Sequence, residues 1–283
     1  MVSHPDAALA AAAEALSGRT IAVLTGAGIS TDSGIPSYRG EGSTPRSPMT
    51  ISQFLTDERY RKRYWAGSQL GLARFGSIEP NEGHRALAQL EHAGVVAGVL
   101  TQNVDGLHQR AGSAKVVELH GSGDRVRCLD CGQMYSRQAV AETIAGNNPW
   151  LSELDDSNLG PDGDVEVDRL DDLVIPECGV CGGALRPDIV YFGEFIPPAK
   201  STQARGMIAS ADAMLIVGSS LVVNSGIRLL DQAFRRDLPV VIVNRGVTKG
   251  DARATVKIDA GASSTLTALT EQLIPRRQNA GAR

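Results

Sequence analysis

The cysteines of this chain occur in two pairs with the same spacing. Two residues separate Cys128 from Cys131 and Cys178 from Cys181, and the 283-residue chain has no other cysteine. A two-residue gap lets two thiolates of one tight turn face one ion, and two such turns complete a sulfur tetrahedron with a radius of roughly 2.3 Å. The pattern predicts one structural zinc ion with no ligand position open to water.

Two other uses of paired cysteines are a disulfide framework and a redox pair. The first 20 residues lack the basic start and apolar core of an export signal. We therefore expect the protein to be in the cytoplasm, where cysteines do not normally form disulfides. A redox motif needs one pair beside a strand–helix–strand unit, not two matched pairs. The long spacer, 132–177, is compatible with a metal site because loop-closure entropy grows slowly with length.

Charge and hydropathy argue against two classes of partner. The formal net charge of −4 provides no basic field for nucleic acid. No apolar run reaches the ~20 residues that a membrane-spanning helix requires. We therefore expect neither nucleic acid nor a membrane as a partner.

Short apolar runs alternate with helical stretches along most of the chain. Continuous apolar strands separated by helices are typical of a parallel sheet with both faces covered, so the sequence predicts an α/β fold. Helices are predicted over 204–211 and 227–236. Residues 40–80 and 125–184 interrupt this rhythm and are expected to form a second lobe. The predicted strands are 21–25, 95–101, 116–119, 214–217 and 240–244.

Glycine and small residues follow several of these strands. Gly26-Ala27-Gly28 follows the first strand and is predicted to open a helix, where backbone N–H groups can approach a phosphate. Thr31 replaces the third glycine of the usual dinucleotide motif, so a tight turn without a ligand is an equally good interpretation. The same two interpretations apply to the turns at 218–221 and 244–246.

Polar side chains follow two other strands. Gln102, Asn103 and Asp105 suit ribose hydroxyls and a carboxamide, although Asp105 could also cap the next helix. His120 ends a short strand before a glycine, as a general base would, although a hydrogen-bonded structural histidine is the alternative. By their spacing, the histidines at 84, 92 and 108 are predicted to be helical or surface residues.

Taken together, these segments resemble the sirtuins, a family of NAD-dependent protein lysine deacylases. The resemblance covers residues 20–262. The long cysteine spacer and residues 60–65 are most similar to the branch that contains the mitochondrial lipoamidase-type sirtuin. The motifs, in family order, are Gly-Ala-Gly-Ile-Ser at 26–30, Gly-Ile-Pro-Ser-Tyr-Arg at 34–39, Thr-Gln-Asn-Val-Asp at 101–105, Leu-His-Gly-Ser at 119–122, both cysteine pairs, Arg-Pro-Asp-Ile-Val-Tyr-Phe-Gly-Glu at 186–194, Gly-Ser-Ser at 218–220 and Val-Asn at 243–244.

The resemblance implies a Rossmann-like doubly wound parallel sheet with a smaller zinc-binding lobe formed by insertions. The Rossmann-type domain would comprise 1–39, 81–124 and 186–275, the insertions 40–80 (helical) and 125–185 (zinc-binding), and the tail 276–283. The implied reaction transfers the acyl group of a modified lysine to ADP-ribose and releases nicotinamide. Alternatives are a mono-ADP-ribosyltransferase or NAD hydrolase at the same site, and a non-catalytic NAD-sensing zinc-ribbon protein.

The resemblance also implies roles for individual residues. His120 and Asn103 would be catalytic, and Ser37 stands where the family has an aspartate. The residues implied to contact NAD are Gly26, Ala27, Gly28, Arg39, Gln102, Asn103, Asp105, Gly218, Ser219, Ser220, Asn244, Arg245, Gly246 and Ala262. Those implied to contact the acyl-lysine substrate are Tyr38, Val190, Phe192, Gly193 and Val223.

Overall fold

A computed structural model of the chain describes residues 5–36, 48–154 and 169–274. Ser37, Tyr38 and Arg39, which were predicted to belong to the site, lie outside these ranges. The strands are β1 Ile21–Thr25, β2 Val96–Thr101, β3 Val116–Glu118, β4 Gly121–Cys128, β5 Met134–Ser136, β6 Leu185–Ile189, β7 Ala213–Val217, β8 Val240–Val243 and β9 Val256–Ile258. The helices are α1 Pro5–Leu16, α2 Ile51–Thr56, α3 Glu58–Gly76, α4 Glu82–His92, α5 Leu107–Arg110, α6 Arg137–Asn147, α7 Pro198–Ala209, α8 Asn224–Phe234 and α9 Ala262–Leu273.

Six parallel strands form the main sheet, in the order β3-β2-β1-β7-β8-β9. In register, Thr25 of β1 pairs with Thr101 of β2 and with Val217 of β7, which in turn pairs with Val243 of β8. The carboxyl ends of these four strands are therefore level. Every turn that leaves them opens at the same edge of the sheet, which is where ligands bind in open parallel sheets.

Helices cover both faces of this sheet, which explains the continuous apolar runs in the sequence. On one face α1, α4 and α9 pack with Val23, Leu215 and Val241. On the other, α7 and α8 pack with the alternate strand residues, such as Leu24 and Ile216. Fully burying one such side chain contributes roughly 1.5–3 kcal/mol, so strands with two covered faces are apolar along most of their length.

The second lobe contains a three-stranded antiparallel sheet in the order β5-β4-β6. Its core is a separate apolar cluster in which Trp65 of α3 packs with residues of α6 and β4, and Cys128 and Cys178 belong to it. The doubly wound parallel sheet with a smaller inserted lobe, which the sequence predicted, is thereby confirmed. No helix in the described ranges has both the length and the apolar character to cross a membrane.

Some predicted elements were wrong or missing. Gly26 is followed by a three-residue 3₁₀ turn, Ala27–Ile29, and not by an α-helix. Gly34, with φ of 94°, and Pro36 end the helical region within two turns, so an α-helix has no room to form. The sequence did not predict β4, β5, β6, β9, α2, α4, α6 or α9 as separate elements.

Candidate active site

A cleft with a volume of about 2080 Å³ lies at the carboxyl edge of the main sheet. Ligand pockets for drug-sized molecules usually measure roughly 300–1,000 Å³, so this cleft has room for a dinucleotide and a peptide segment together. Nearly all of the described residues predicted to contact NAD or substrate line it. Asp105 is the exception.

The turns after β1 and β7 touch each other at the base of the cleft. The N–H of Gly28 donates to the carbonyl of Gly218 at 2.8 Å. A Cβ atom at Gly28 would lie 2.7 Å from the Cα of Gly218, which itself has a φ of 63°. Glycine is therefore required at 28 and 218 by the packing of the turns themselves, in addition to any approach of a ligand.

Asn103 is held by a short network behind the cleft wall. Its Nδ2 donates to Ser30 Oγ at 3.0 Å and to the carbonyl of Gly26 at 3.3 Å. Ser30 in turn donates to Asp105 Oδ2 at 2.7 Å, while Asp105 Oδ1 accepts the N–H of Leu107 at 3.0 Å. Asp105 thus binds the first N–H of α5, as the capping interpretation expected, and also fixes Asn103 and Ser30. Its predicted contact with NAD stays a prediction.

His120 faces the cleft with both ring nitrogens engaged. Nδ1 lies 2.8 Å from the carbonyl oxygen of Gln102, which can only accept, so Nδ1 carries the proton. Nε2 lies 3.0 Å from Ser225 Oγ and accepts its hydrogen. Burial lowers the pKa of His120 below its ordinary value, and the bond to Gln102 opposes this shift. A neutral imidazole with an acceptor nitrogen in the cleft is the form that a general base requires.

Gln102 holds His120 directly through its backbone and indirectly through its side chain, which binds Ser225. Its side-chain Nε2 donates to Ser225 Oγ at 3.3 Å, and its Oε1 accepts from Ser219 Oγ at 2.7 Å. The backbone carbonyl of Gln102 also binds His120 Nδ1. Gln102 therefore connects the turn after β2 with the turn after β7 and with His120. Ser225 and Ser30 were not predicted as site residues. Ser30 lies in the motif at 26–30, whereas no local signal identifies Ser225.

Two further histidines lie beneath the cleft, where the sequence predicted helical or surface positions. His84 and His108 are helical but fully buried, with ring centroids 4.9 Å apart. His108 Nε2 bonds to Thr25 Oγ1 at 2.9 Å, and His84 Nδ1 accepts the N–H of Asn81. Burial lowers the pKa of His84 to about 4 and that of His108 to about 3, so both are neutral at pH 7.

The turn after β8 forms the far end of the cleft. Asn244, Arg245 and Gly246 line it together with Ala262, the first residue of α9. Lys257 Nζ holds the turn by donating to the carbonyls of Asn244 and Gly246 at 3.0 and 2.8 Å. The N–H groups at the start of a helix attract anionic or polar ligand groups, so this end suits the polar part of a nucleotide.

The segment after β6 crosses the cleft beside His120. The N–H of Val190 donates to the carbonyl of His120 at 2.8 Å, and the carbonyl of Phe192 accepts the N–H of Ile51 at 3.0 Å. Gly193 has a φ of 85°, and neither of its backbone groups is bonded to another described residue. Val223 lines the opposite wall. An added peptide strand would therefore use groups around Gly193 and not the N–H of Val190.

The four cysteine sulfurs form one cluster. All lie within 4.8 Å of one another, with Cys128 3.5 Å from Cys181 and Cys131 3.6 Å from Cys178. A left-handed glycine follows each pair, Gly132 with φ of 74° and Gly182 with φ of 72°, so both turns close in the same way. Four thiolates at these positions could hold one metal ion.

A parallel sheet with glycine turns and a neutral histidine at its carboxyl edge defines a nucleotide-binding α/β protein. The Sir2 family model matches residues 26–225. The NAD-dependent protein deacetylase 1 of Mycobacterium avium (strain 104) is 50% identical over 264 residues, which cover 92% of this chain and 94% of that protein. The chain therefore belongs to the Sir2 family, the sirtuins.

Other relatives agree with this assignment. The NAD-dependent protein deacylase Sirt4 of Drosophila melanogaster is 44% identical, over 87% of this chain and 80% of that protein. A solved structure of Sir2 with a p53 peptide and NAD+ is 33% identical with a TM-score of 0.74, and the match covers 92% of this chain and 95% of that one.

Proposed function

We propose that this protein is an NAD-dependent protein lysine deacylase that releases nicotinamide and O-acyl-ADP-ribose. Its membership of the Sir2 family supports this function. The observation that carries it is the position of His120, a neutral base that faces a cleft large enough for NAD and an acyl-lysine peptide. When bound, NAD would supply an electrophilic anomeric carbon at which the acyl oxygen of the substrate displaces nicotinamide, and water would then release the free lysine.

The residues of this chain bind the dinucleotide, orient its ribose, accept a proton and hold the acyl-lysine. The turns at 26–28 and 218–220 hold the dinucleotide against the sheet edge, and Asn244 to Gly246 with Ala262 hold its adenosine half. Asn103, fixed by Ser30 and Asp105, orients the nicotinamide ribose. His120 Nε2 accepts a proton from the ribose hydroxyls. The segment 190–193 and Val223 hold the acyl-lysine and keep water away from it.

We also propose that the four cysteines bind one zinc ion. In a tetrahedron with Zn–S bonds of roughly 2.3 Å, neighbouring sulfurs are about 3.8 Å apart, close to the spacings of 3.5 and 3.6 Å between the cysteines here. Four thiolates leave no position for a reacting water, so this ion would be structural. The cytoplasm as location and the lipoamidase-type branch remain predictions.

The test is to incubate the protein with NAD and one peptide carrying acetyl- or lipoyl-lysine, and to identify the products by mass spectrometry. Free lysine peptide together with O-acyl-ADP-ribose is the expected result. ADP-ribosylated protein, or ADP-ribose without deacylation, would instead assign the site to ADP-ribosyl transfer or NAD hydrolysis. NAD binding with no product at all would identify a sensor.

A further inference from the structure

Beyond His120 the cleft continues as a groove between α7 and α8. Ser201 and Arg205 of α7 line one wall, and Arg228 and Gln232 of α8 line the other. The helices touch here, because Gln232 Nε2 donates to the carbonyl of Arg205 at 2.9 Å. With a rise of 1.5 Å per residue, the stretch of α8 from the cleft to Arg235 makes the groove ~15 Å long.

Three arginines, Arg205, Arg228 and Arg235, line this groove. Arg228, Gln232 and Arg235 are spaced at i, i+4 and i+7, so they share one face of α8. Arg205 is brought to the same face by the bond from Gln232 to its carbonyl. All three arginines are exposed, and all three line the cavity that also contains His120.

No carboxylate of the protein neutralises these arginines in the part of the chain that the structure describes. The described acidic residues lining the cavity are Glu194 and Asp231, and each is already paired, with Arg186 and Arg253 respectively. Arg205 reaches only the hydroxyl of Thr202, at 3.4 Å. The groove is therefore a positive surface on a protein whose formal net charge is −4.

We propose that this groove binds an acidic segment of the protein substrate, within about five residues of the acyl-lysine. The proposal rests on the proposed deacylase function. An extended peptide rises about 3.3 Å per residue, so four or five residues span ~15 Å. Guanidinium groups bind carboxylates well, often through two parallel hydrogen bonds. The groove also begins beside Phe195 and Val222, the neighbours of the segments that hold the acyl-lysine.

The test uses one acetyl-lysine peptide with three glutamates, three lysines or three glutamines placed on its amino or carboxyl side. Three exposed ion pairs of ordinary strength together give about a tenfold effect. On one of the two sides of the acetyl-lysine, we expect three glutamates to give a kcat/KM about tenfold higher at low salt than three glutamines at the same positions. The gain should lie in KM, since these contacts form equally in ground and transition states, and should shrink in 0.5 M salt.

Charge reversal locates the effect. Arg228→Glu and Arg235→Glu should each reduce the glutamate-to-glutamine ratio at least severalfold, whereas Arg228→Lys should retain most of it. Arg59→Glu, at an exposed position of α3 away from the groove, makes the same charge change and should keep the wild-type ratio. Equal use of glutamate and glutamine peptides on both sides, or a ratio that survives both reversals, would overturn the proposal.

Peptide binding separates this proposal from the deacylase function. Fluorescence anisotropy with the same labelled peptides measures affinity without turnover. If no peptide is deacylated but the glutamate peptide still binds more tightly, and Arg235→Glu removes this difference, the groove proposal stands and the deacylase proposal fails. If peptides are deacylated with no charge preference in either assay, the reverse holds.

Discussion

The main sheet and the cysteine lobe achieve a stable fold in different ways. The sheet buries two apolar layers, and residues such as Val23, Leu24 and Ile216 have no exposed surface at all. The lobe has one smaller apolar cluster, and two of its four cysteines, Cys131 and Cys181, are exposed. We therefore expect the sheet to fold by burial alone and the lobe to need an ion that joins its four sulfurs.

The largest effect is expected from removing the ion, which should unfold the lobe and leave the sheet folded. Cys128→Ala takes away one ligand, and because metal binding energy is folding energy, we expect bound zinc to be lost and the lobe to unfold. Amide hydrogen exchange should then show loss of protection in β4, β6 and α6, with protection retained in β1, β7 and β8. Val180→Ala, at an exposed position between the second cysteine pair, is the matched control. A metal-free protein with a protected lobe would contradict the comparison.

His120 lies between the two regions, and its substitution should change the stability of neither. His120→Ala removes the proposed base, so turnover should fall by a factor on the order of 10² or more, as for other general bases. Calorimetry should show that NAD still binds, and thermal unfolding should change little. His92→Ala, at an exposed position of α4, is the control. Normal turnover by a folded His120→Ala protein would reject the role.

Acid should destabilise the sheet domain through its buried histidines. The pKa values of His84 and His108 are lowered to about 4 and about 3, whereas the unfolded residues titrate near 6.5. Below pH 6.5 only the unfolded chain takes up these protons, so stability is full above that pH and falls as the pH drops toward 4. Each histidine contributes a slope of at most about 1.4 kcal/mol per pH unit.

The measurement is urea unfolding of the sheet domain at several pH values between 7 and 5. His108→Gln should reduce the pH slope by about a third to a half, whatever its effect on stability at pH 7, because His84 and His120, whose pKa values are also lowered, still take up protons on unfolding. His92→Gln should leave the slope unchanged. Residues 125–185 contain no histidine, so an equal slope for the cysteine lobe would remove this distinction between the regions.

The smallest effect is expected at Ser225, on the sheet side of the site. Its hydroxyl donates to His120 Nε2 and holds the imidazole ring in place. Ser225→Ala loses this bond and the bond that Ser225 Oγ accepts from Gln102 Nε2, and only the first acts directly on the base. We therefore expect kcat to fall about three- to tenfold with little change in the KM for NAD. Ser225→Thr keeps the hydroxyl and should retain most of the activity. A larger loss in the KM for NAD than in kcat would mean that Ser225 binds the dinucleotide instead.

The sequence predicted features whose cause is local. β1 and β7 were found because strands covered on both faces are continuously apolar, and the cysteine cluster because each pair forms its own turn. β4, with two glycines and three charged residues, has no such pattern and exists through its pairing with β6. The burial of His108 depends on Thr25, 83 positions away, and the contact of His120 with Ser225 spans 105. Such long-range pairings leave no local signal.

The part of the lobe that bears the cysteines is connected to the sheet domain through β4 and β6, and both strands meet that domain at one point. β4 begins directly after His120, and β6 ends directly before Val190, whose N–H binds the carbonyl of His120. Gly121 packs so closely on the carbonyl of Asp188 that no side chain could be added there. Rotation of the lobe about this crossing displaces its outer end most and the crossing itself least. If the lobe rotates in this way to admit a bulky protein, we expect the atoms around His120 to stay almost stationary.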